Sequence, residues 1–225
     1  MNETLHTISV MALPIVIAIV FHEVAHGYVA WRLGDDTAHR QGRITLNPLR
    51  HIDPFGTIIL PLILALSVGF PFGYAKPVPV NPGRLRHPRR DMVLVAAAGP
   101  ATNVVLAIAA SLLLHGVNLL PPAAALWLGQ NLLNAILVNL ILAIFNMLPL
   151  PPLDGGRVAV GLLPDALAYR LARLERFGFL ILIAVIVVLP MAGKQLGYPL
   201  DPLGAIIWPP LEFLYNSLAV LTGHT

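Results

Sequence analysis

LHTISVMALPIVIAIVFHEVAHGYVAW, residues 5–31, is an apolar stretch longer than the ~20 residues that an α-helix needs to cross the hydrocarbon core of a bilayer. Arg32 follows it directly and marks its end. Three ionisable side chains lie well inside the stretch: His22, Glu23 and His26. Such groups cost free energy within a span unless they have partners, and they are functional by default. The stretch therefore predicts a transmembrane helix that carries a functional site.

The composition of the whole chain agrees with a membrane protein. Of the 225 residues, 57% are hydrophobic and 11% are charged, whereas a soluble domain has about 45–50% apolar and about 25% charged residues. The length allows roughly five or six spans of ~20 residues with short loops. We therefore expect one integral membrane domain over residues 1–225. The absence of cysteine excludes disulfides and thiolate-ligated metal.

The formal net charge of +3 is small, and Lys and Arg concentrate in two short loops, residues 34–53 and 76–90. This clustering is typical of cytoplasmic loops of a membrane protein rather than of a nucleic-acid-binding surface. Residues 55–70 lie between the two loops and contain Pro61. A full span there would place the two basic loops on opposite sides of the membrane. We therefore expect a re-entrant segment, with a short tilted helix as the alternative.

Three further stretches are predicted to span the membrane: residues 92–114, 126–148 and 177–192. Residues 158–176 mix apolar and charged side chains at helical spacing, which is typical of a helix in the membrane interface. Residues 203–221 are apolar but contain Pro209, Pro210 and Glu212, so they predict either a broken span or an interfacial segment. The predicted fold class is an all-α polytopic membrane protein.

The HEVAH sequence at residues 22–26 has the spacing of a zinc site. On a helix, positions i and i+4 share one face, so His22 and His26 can bind a single zinc ion. Glu23 lies next to them, where it can accept a proton from a water that the metal activates. The alternative is a chance match, since the same pattern occurs in soluble helices without function. The apolar surroundings of this copy favour the zinc site.

A zinc site of a hydrolytic enzyme needs a third protein ligand and keeps its fourth position for water. Asp154 is the best candidate because it follows the span at residues 126–148 and precedes Gly155 and Gly156, which permit a tight turn. Prolines before it prevent a continuous helix: Pro149, Pro151 and Pro152. The alternative is an ordinary aspartate in a solvated loop after a span.

These motifs together resemble the site-2 protease family of intramembrane zinc metalloproteases, which have a three-span catalytic core. The pattern Asn-x-x-Pro-x-x-x-x-Asp-Gly of that family is met by Asn146, Pro149, Asp154 and Gly155. The GPATN sequence at residues 99–103 resembles its central core helix. The resemblance covers residues 5–157, and residues 158–225 are expected to form C-terminal interfacial and membrane segments. The chain resembles the compact branch of the family, without a PDZ or nucleotide-sensing domain.

The resemblance implies a role for each matching residue. His22, His26 and Asp154 would bind one zinc ion per chain, and Glu23 would be the general base that carries the proton to the leaving amine. Asn146 and Asn103 would hydrogen-bond the substrate backbone or stabilise the oxyanion; the alternative for each amide is a hydrogen bond to a neighbouring helix. The implied reaction is regulated intramembrane proteolysis, with transmembrane proteins as substrates, membrane lipid as surroundings and no nucleic acid as partner.

The resemblance to the compact branch also favours the inner membrane of a prokaryotic cell. His26 lies six residues before Arg32, or roughly 9 Å along a helix, which places the expected site nearer the cytoplasmic side. Residues 76–81 (KPVPVN) predict either an edge strand that pairs with an unwound substrate or a linker stiffened by proline.

Two other functions fit the same residues. A membrane metal-ion transporter or metal-binding protein would use intramembrane His and Asp side chains as ion ligands. An inactive member of the family would act as a chaperone of membrane helices, although the intact HEVAH sequence and Asp154 argue against it.

Overall fold

The structure is a computed structural model, and it describes residues 3–68, 73–198 and 200–224. Ten α-helices lie in this part of the chain: α1 (Glu3–Arg32), α2 (Thr37–Arg40), α3 (Leu60–Val68), α4 (Pro88–Leu114), α5 (Pro122–Asn146), α6 (Asp154–Leu162), α7 (Asp165–Ala172), α8 (Glu175–Ile183), α9 (Leu189–Gln195) and α10 (Pro202–Thr222). Short π- and 3₁₀-helical turns link them at Pro48–His51, Pro54–Ile59, Pro82–Arg84, Val117–Leu119 and Ala184–Val188. The described residues contain no β-strand.

Four helical runs are long and apolar enough to cross a membrane: Glu3–Arg32, Pro88–Leu119, Pro122–Asn146 and Glu175–Gln195. They correspond to the four spans predicted from the sequence. The all-α polytopic fold is therefore confirmed. In each run most of the window that would cross the membrane is not buried within the protein, as expected for helices whose outer faces contact lipid.

The centre of the bundle is α4, which packs against α1, α5 and α6. Its start is well defined, because Pro88 occupies the first turn and the Asp91 carboxylate accepts a hydrogen bond from the His87 N–H at 2.8 Å. Polar side chains join α1 to α5 in the apolar bundle. The Asn134 amide donates to the Val10 carbonyl at 2.9 Å, and the Trp127 indole donates to the Ser9 hydroxyl at 3.0 Å.

The segment between the two basic loops has a re-entrant course. It contains a short apolar helix, Pro54–Leu66, below the length of a span. The Tyr74 N–H then donates to the Gly56 carbonyl at 3.0 Å, and the Thr57 hydroxyl donates to the Tyr74 carbonyl at 3.0 Å. The chain therefore returns to the level at which it entered, in agreement with the re-entrant prediction. Residues 69 and 70 of the predicted segment lie outside the described residues.

The C-terminal helix α10 continues through Pro209 and Pro210, so the break considered from the sequence does not form. The Asp201 carboxylate caps its first turn by accepting the Gly204 N–H at 2.8 Å. Leu211 and Leu218 of this helix are buried in an apolar cluster with residues of α4 and α5. Packing against two spanning helices thus holds α10 on the bundle, although α10 is not among the four candidate spans.

We expect the substitution Leu211→Ala to lower the free energy of unfolding by about 2–4 kcal/mol, because it leaves a cavity between α10 and the bundle. Leu211 is 4% exposed, whereas Leu221 on the same helix is 73% exposed. The matched control Leu221→Ala should change stability by less than about 0.5 kcal/mol. Unfolding of the two variants in detergent measures the difference, and equal effects would mean that α10 does not pack as described.

Candidate metal centre

Three buried side chains meet between α1 and the start of α6. His22 and His26 lie one turn apart on α1, and their Nε2 atoms are 3.0 Å from each other. Asp154, the first residue of α6, places its Oδ2 atom 3.1 Å from the His22 Nε2 atom and 3.3 Å from the His26 Nε2 atom. The described chain has one group of His, Asp and Glu side chains that is close enough to hold a metal ion, and it is this cluster.

The far side of each imidazole is fixed by an oxygen acceptor on α4. The His22 Nδ1 atom lies 2.6 Å from the Asn103 Oδ1 atom, and the His26 Nδ1 atom lies 2.7 Å from the Val95 carbonyl oxygen. Both oxygens only accept hydrogen bonds, so both Nδ1 atoms carry the hydrogen. The two Nε2 atoms therefore present lone pairs towards each other and towards the Asp154 carboxylate.

Such a cluster fits a zinc ion. The buried Oδ2 atom of Asp154 receives no hydrogen bond from the described residues, and it faces the lone pairs of two nitrogens. Three acceptors in contact and shielded from water repel one another unless a cation lies between them. Two imidazole nitrogens and one carboxylate oxygen form a common donor set of catalytic zinc. Ligands at the usual ~2.0–2.1 Å from a tetrahedral zinc ion lie about 3.3 Å apart, close to the spacing found here.

Gly99 on α4 allows the two imidazoles to approach that helix. A β-carbon at this position would meet the Nε2 atom of His26 and would lie 2.6 Å from the Nε2 atom of His22. This separation is below van der Waals contact, and hydrogen bonds from both Nδ1 atoms to α4 hold the imidazoles in place. Any residue larger than glycine would therefore displace the nitrogens that face Asp154.

The two glycines after Asp154 act differently from the sequence prediction. Gly155 and Gly156 have no positive φ angle, so they do not form the tight turn that was expected. They lie inside the first turn of α6, where a β-carbon would collide with the backbone of Met147 and Pro151, respectively. Their small size lets the loop from α5 fold closely over the start of α6, which brings Asp154 to the histidines.

Glu23 is half-buried beside His22 and accepts a hydrogen bond from a distant part of the chain. Its Oε2 atom lies 2.7 Å from the backbone nitrogen of Val78, in the segment of residues 76–81. This segment has no regular secondary structure over residues 76–81, so the predicted edge strand is not formed within the chain itself. Residues 76–81 thus have the form of the linker with prolines that was the alternative prediction, and this linker contacts Glu23.

The two asparagines predicted to bind substrate occupy different surroundings. Asn103 is fully buried, and its Nδ2 atom donates to the Asn139 Oδ1 atom at 2.8 Å and to the Ala18 carbonyl at 3.2 Å. Since its Oδ1 atom binds His22, every polar group of this amide is engaged by the protein. Asn146 ends α5 and donates to the Leu142 carbonyl at 3.0 Å. The structure therefore brings Asn103, but not Asn146, into hydrogen-bonding contact with the cluster.

Sequence reasoning missed Asn139, which supports Asn103 from behind. Asn139 lies on α5 and is 2% exposed. It precedes Asn146 by seven residues, or about two helical turns. The sequence signal that could have indicated Asn139 is an amide inside an apolar span, on the same helix face as Asn146.

Comparison with known proteins shows the family to which the chain belongs. The profile of peptidase family M50 matches residues 121–189, which include α5 and Asp154. A Bacillus subtilis (strain 168) protein that carries the name of a zinc metalloprotease, YwhC, is 38% identical over 217 residues, which cover 94% of this chain and 90% of that protein.

Two further relatives also carry the name of zinc metalloproteases. Rip2 of Mycolicibacterium smegmatis is 34% identical over 178 residues, and the match covers 76% of this chain and 63% of Rip2. MJ0611 of Methanocaldococcus jannaschii is 32% identical over 139 residues, which cover 62% of this chain and 63% of that protein. No solved structure matches this chain significantly.

We expect Gly99→Ala to abolish zinc binding, because the added methyl group displaces the Nε2 atoms of both histidines. Gly129→Ala on α5 is the matched control, since the nearest atom to its added methyl group is at an ordinary contact distance of 3.6 Å. Metal analysis of the purified variants measures the effect. Retention of zinc by Gly99→Ala would contradict the close approach of α4 to the histidines.

We expect Asn139→Leu to weaken zinc binding by about 10-fold or more, because Asn103 then loses the partner that holds it against His22. Asn131→Leu is the control on the same helix, since among the described residues the Asn131 amide donates to the Trp127 carbonyl of α5 and to no other group. A competition titration with a zinc chelator compares the two affinities. Equal affinities would remove Asn139 from the support of the site.

Proposed function

We propose that this chain, which belongs to peptidase family M50 and is a zinc metalloprotease with membrane-spanning helices, hydrolyses peptide bonds in other membrane proteins. The bonds that it cleaves would lie within or near the transmembrane segments of those proteins. The observation that carries the proposal is the cluster of His22, His26 and Asp154, buried between helices of an apolar bundle. A site in that place is suited to substrates that are themselves in the membrane. Regulated intramembrane proteolysis is the process to which we assign it.

We propose that His22, His26 and Asp154 hold one zinc ion per chain. When bound, zinc polarises the scissile carbonyl and lowers the pKa of a coordinated water to about 7. The protein's own contribution is to orient the ligands. Asn103 and the Val95 carbonyl hold the two imidazole rings from behind, so their Nε2 atoms remain directed at the metal position.

Glu23 is proposed as the general base. It follows His22 directly on α1 and is half-buried, and its carboxylate is not one of the three converging groups. In this role it accepts the proton of the attacking water and delivers it to the nitrogen of the leaving amine. The same carboxylate serves both transfers, because the proton it gains in the first is the proton it donates in the second.

The two asparagines are proposed to act differently from each other. Asn103 has no free polar group, so we propose that it orients His22 instead of binding substrate. Asn146 uses one hydrogen of its amide on the Leu142 carbonyl, and its second hydrogen is available to a substrate carbonyl. We therefore retain the substrate-binding or oxyanion role for Asn146 alone.

The substrate is proposed to reach the site as an unwound transmembrane segment, because a helix shields its peptide bonds from attack. The extended residues 76–81 are the element beside Glu23 with which an unwound chain can align. We further propose that the site faces the cytoplasmic side of a prokaryotic inner membrane. The cationic side chains of the two loops support this orientation, since cytoplasmic loops carry an excess of Lys and Arg.

We expect Glu23→Gln to keep one zinc ion per chain but to reduce cleavage of single-span membrane substrates by at least about 100-fold, since the general base is lost. Asp154→Ala should lose the zinc ion as well as activity. The measurements are metal content in detergent and proteolysis in reconstituted vesicles.

The wild-type protein and Gly129→Ala, which leaves the site intact, are the active controls in this assay. A wild type that binds zinc but cleaves none of several single-span substrates would contradict the proposal. If Glu23→Gln abolished movement of zinc across vesicles instead of proteolysis, the protein would be a transporter.

A further inference from the structure

The extended residues 76–81 are anchored to the protein through their backbone. The Lys76 N–H donates to the His51 carbonyl at 2.9 Å, the Val78 N–H donates to the Glu23 carboxylate at 2.7 Å, and the Asn81 N–H donates to the Asp35 carboxylate at 2.6 Å. The two residues that flank Val78 are Pro77 and Pro79, which have no N–H group. Between these prolines, the segment therefore offers a single backbone donor, and it is bound to Glu23.

The side chain of Val78 fixes the position of that donor. Val78 is 6% exposed and packs against Gly27, one helical turn after Glu23 on α1. A β-carbon on Gly27 would lie 2.8 Å from the Val78 Cγ1 atom and 3.2 Å from the Ile44 Cγ1 atom. The missing side chain of Gly27 thus creates a notch that Val78 fills. Filling this notch brings the Val78 N–H within hydrogen-bonding distance of the carboxylate of Glu23.

A buried cation and a buried anion hold the two ends of the segment. Arg43 is 7% exposed, and its Nη2 atom donates to the Lys76 carbonyl at 2.9 Å. At the other end, burial raises the pKa of Asp35, but hydrogen bonds from the Thr37 hydroxyl and from the Asn81 and Thr37 N–H groups hold this pKa below its usual range. The Asp35 carboxylate therefore remains ionised and bound to Asn81 near neutral pH.

We propose that the backbone N–H of Val78 is a positioning group for the catalytic carboxylate of Glu23. This inference rests on the proposed protease function, in which Glu23 is the general base. The hydrogen bond occupies Oε2, and Oε1 accepts no hydrogen bond from any residue that the structure describes. Oε1 is thus the oxygen that takes the proton from the attacking water. A long glutamate side chain has several rotamers, and a hydrogen bond that fixes Oε2 reduces the number that Glu23 can adopt.

The geometry explains why an irregular loop lies against a catalytic helix. A charge-assisted hydrogen bond from a backbone amide is short and directional, and a backbone donor has less freedom to move than a side chain. The side-chain hydrogen bonds of His22 and His26 that the structure describes go to other partners than Gly27 and Val78. Loss of the bond is therefore expected to slow the reaction while the metal remains bound.

The first test removes the N–H of Val78 with the substitution Val78→Pro. The matched control is Ala75→Pro, which introduces proline one residue before the segment, at a residue whose N–H makes no hydrogen bond with the described residues. The zinc content, the kcat and KM for a single-span substrate, and the dependence of kcat on pH are measured for each. We expect Val78→Pro to bind one zinc ion, to keep KM within about 2-fold and to lose about 10- to 100-fold in kcat. Ala75→Pro should behave as wild type.

The second test displaces Val78 without removing its N–H and remains informative if Val78→Pro does not fold. Gly27→Ala inserts a methyl group against the Val78 Cγ1 atom, so kcat should fall with zinc retained. Val78→Ala removes the Cγ1 atom but keeps the N–H. The double variant Gly27→Ala/Val78→Ala should therefore recover the kcat of Val78→Ala alone, a non-additive result expected of residues in contact.

Four outcomes would overturn the inference. Val78→Pro and Gly27→Ala with wild-type kcat would mean that the bond does not position Glu23. A higher kcat would mean that the segment blocks the base instead. Loss of zinc would mean that the segment supports the metal ligands, and a failure of the double variant to recover activity would mean that Gly27 acts through another contact. A wild type without zinc or proteolysis would instead contradict the proposed function itself, so the two failures are distinguishable.

Discussion

Two imidazole nitrogens and one carboxylate oxygen meet at 3.0–3.3 Å inside an apolar helical bundle, and each of them is an acceptor. Both Nδ1–H groups donate to oxygen atoms on α4. Each neutral imidazole therefore presents the lone pair of its Nε2 atom to the cluster. A metal ion between them would satisfy all three groups at once. These three groups are therefore suited to hold a metal ion, and the family agrees with zinc as that ion.

The central helix α4 contributes to the site through a glycine without a side chain, a backbone carbonyl and one side-chain amide. Gly99 has no side chain, so the histidines of α1 can lie against the helix. Val95 contributes a backbone carbonyl, and Asn103 contributes an amide that is itself held by Asn139 of α5. The ligands thus come from α1 and α6, while their orientation comes from α4 and α5. This division explains why the four helices must pack as one unit for the site to exist.

The sequence predicted the parts of the molecule that depend on local pattern. The HEVAH spacing predicted that both histidines lie on one helix face, as they do, and apolar length predicted the four long apolar helices. The role of Asn103 was not predictable, because an amide binds a helix or a substrate depending on neighbours that only packing supplies. The same holds for Val78, whose importance arises from an N–H group that every non-proline residue carries. The sequence also did not predict that α10 continues through Pro209, because proline tends to interrupt a helix. Packing of α10 against the bundle outweighs that tendency.

The most direct measurement of the central claim is X-ray absorption at the zinc edge of the purified protein. Imidazole ligands give characteristic multiple scattering, and their number can be counted. A site built from two histidines and one aspartate predicts two imidazoles and oxygen ligands bound to the zinc ion, with zinc–nitrogen distances of about 2.0–2.1 Å. A shell with three imidazoles, or with fewer than two, would contradict a site built from His22, His26 and Asp154.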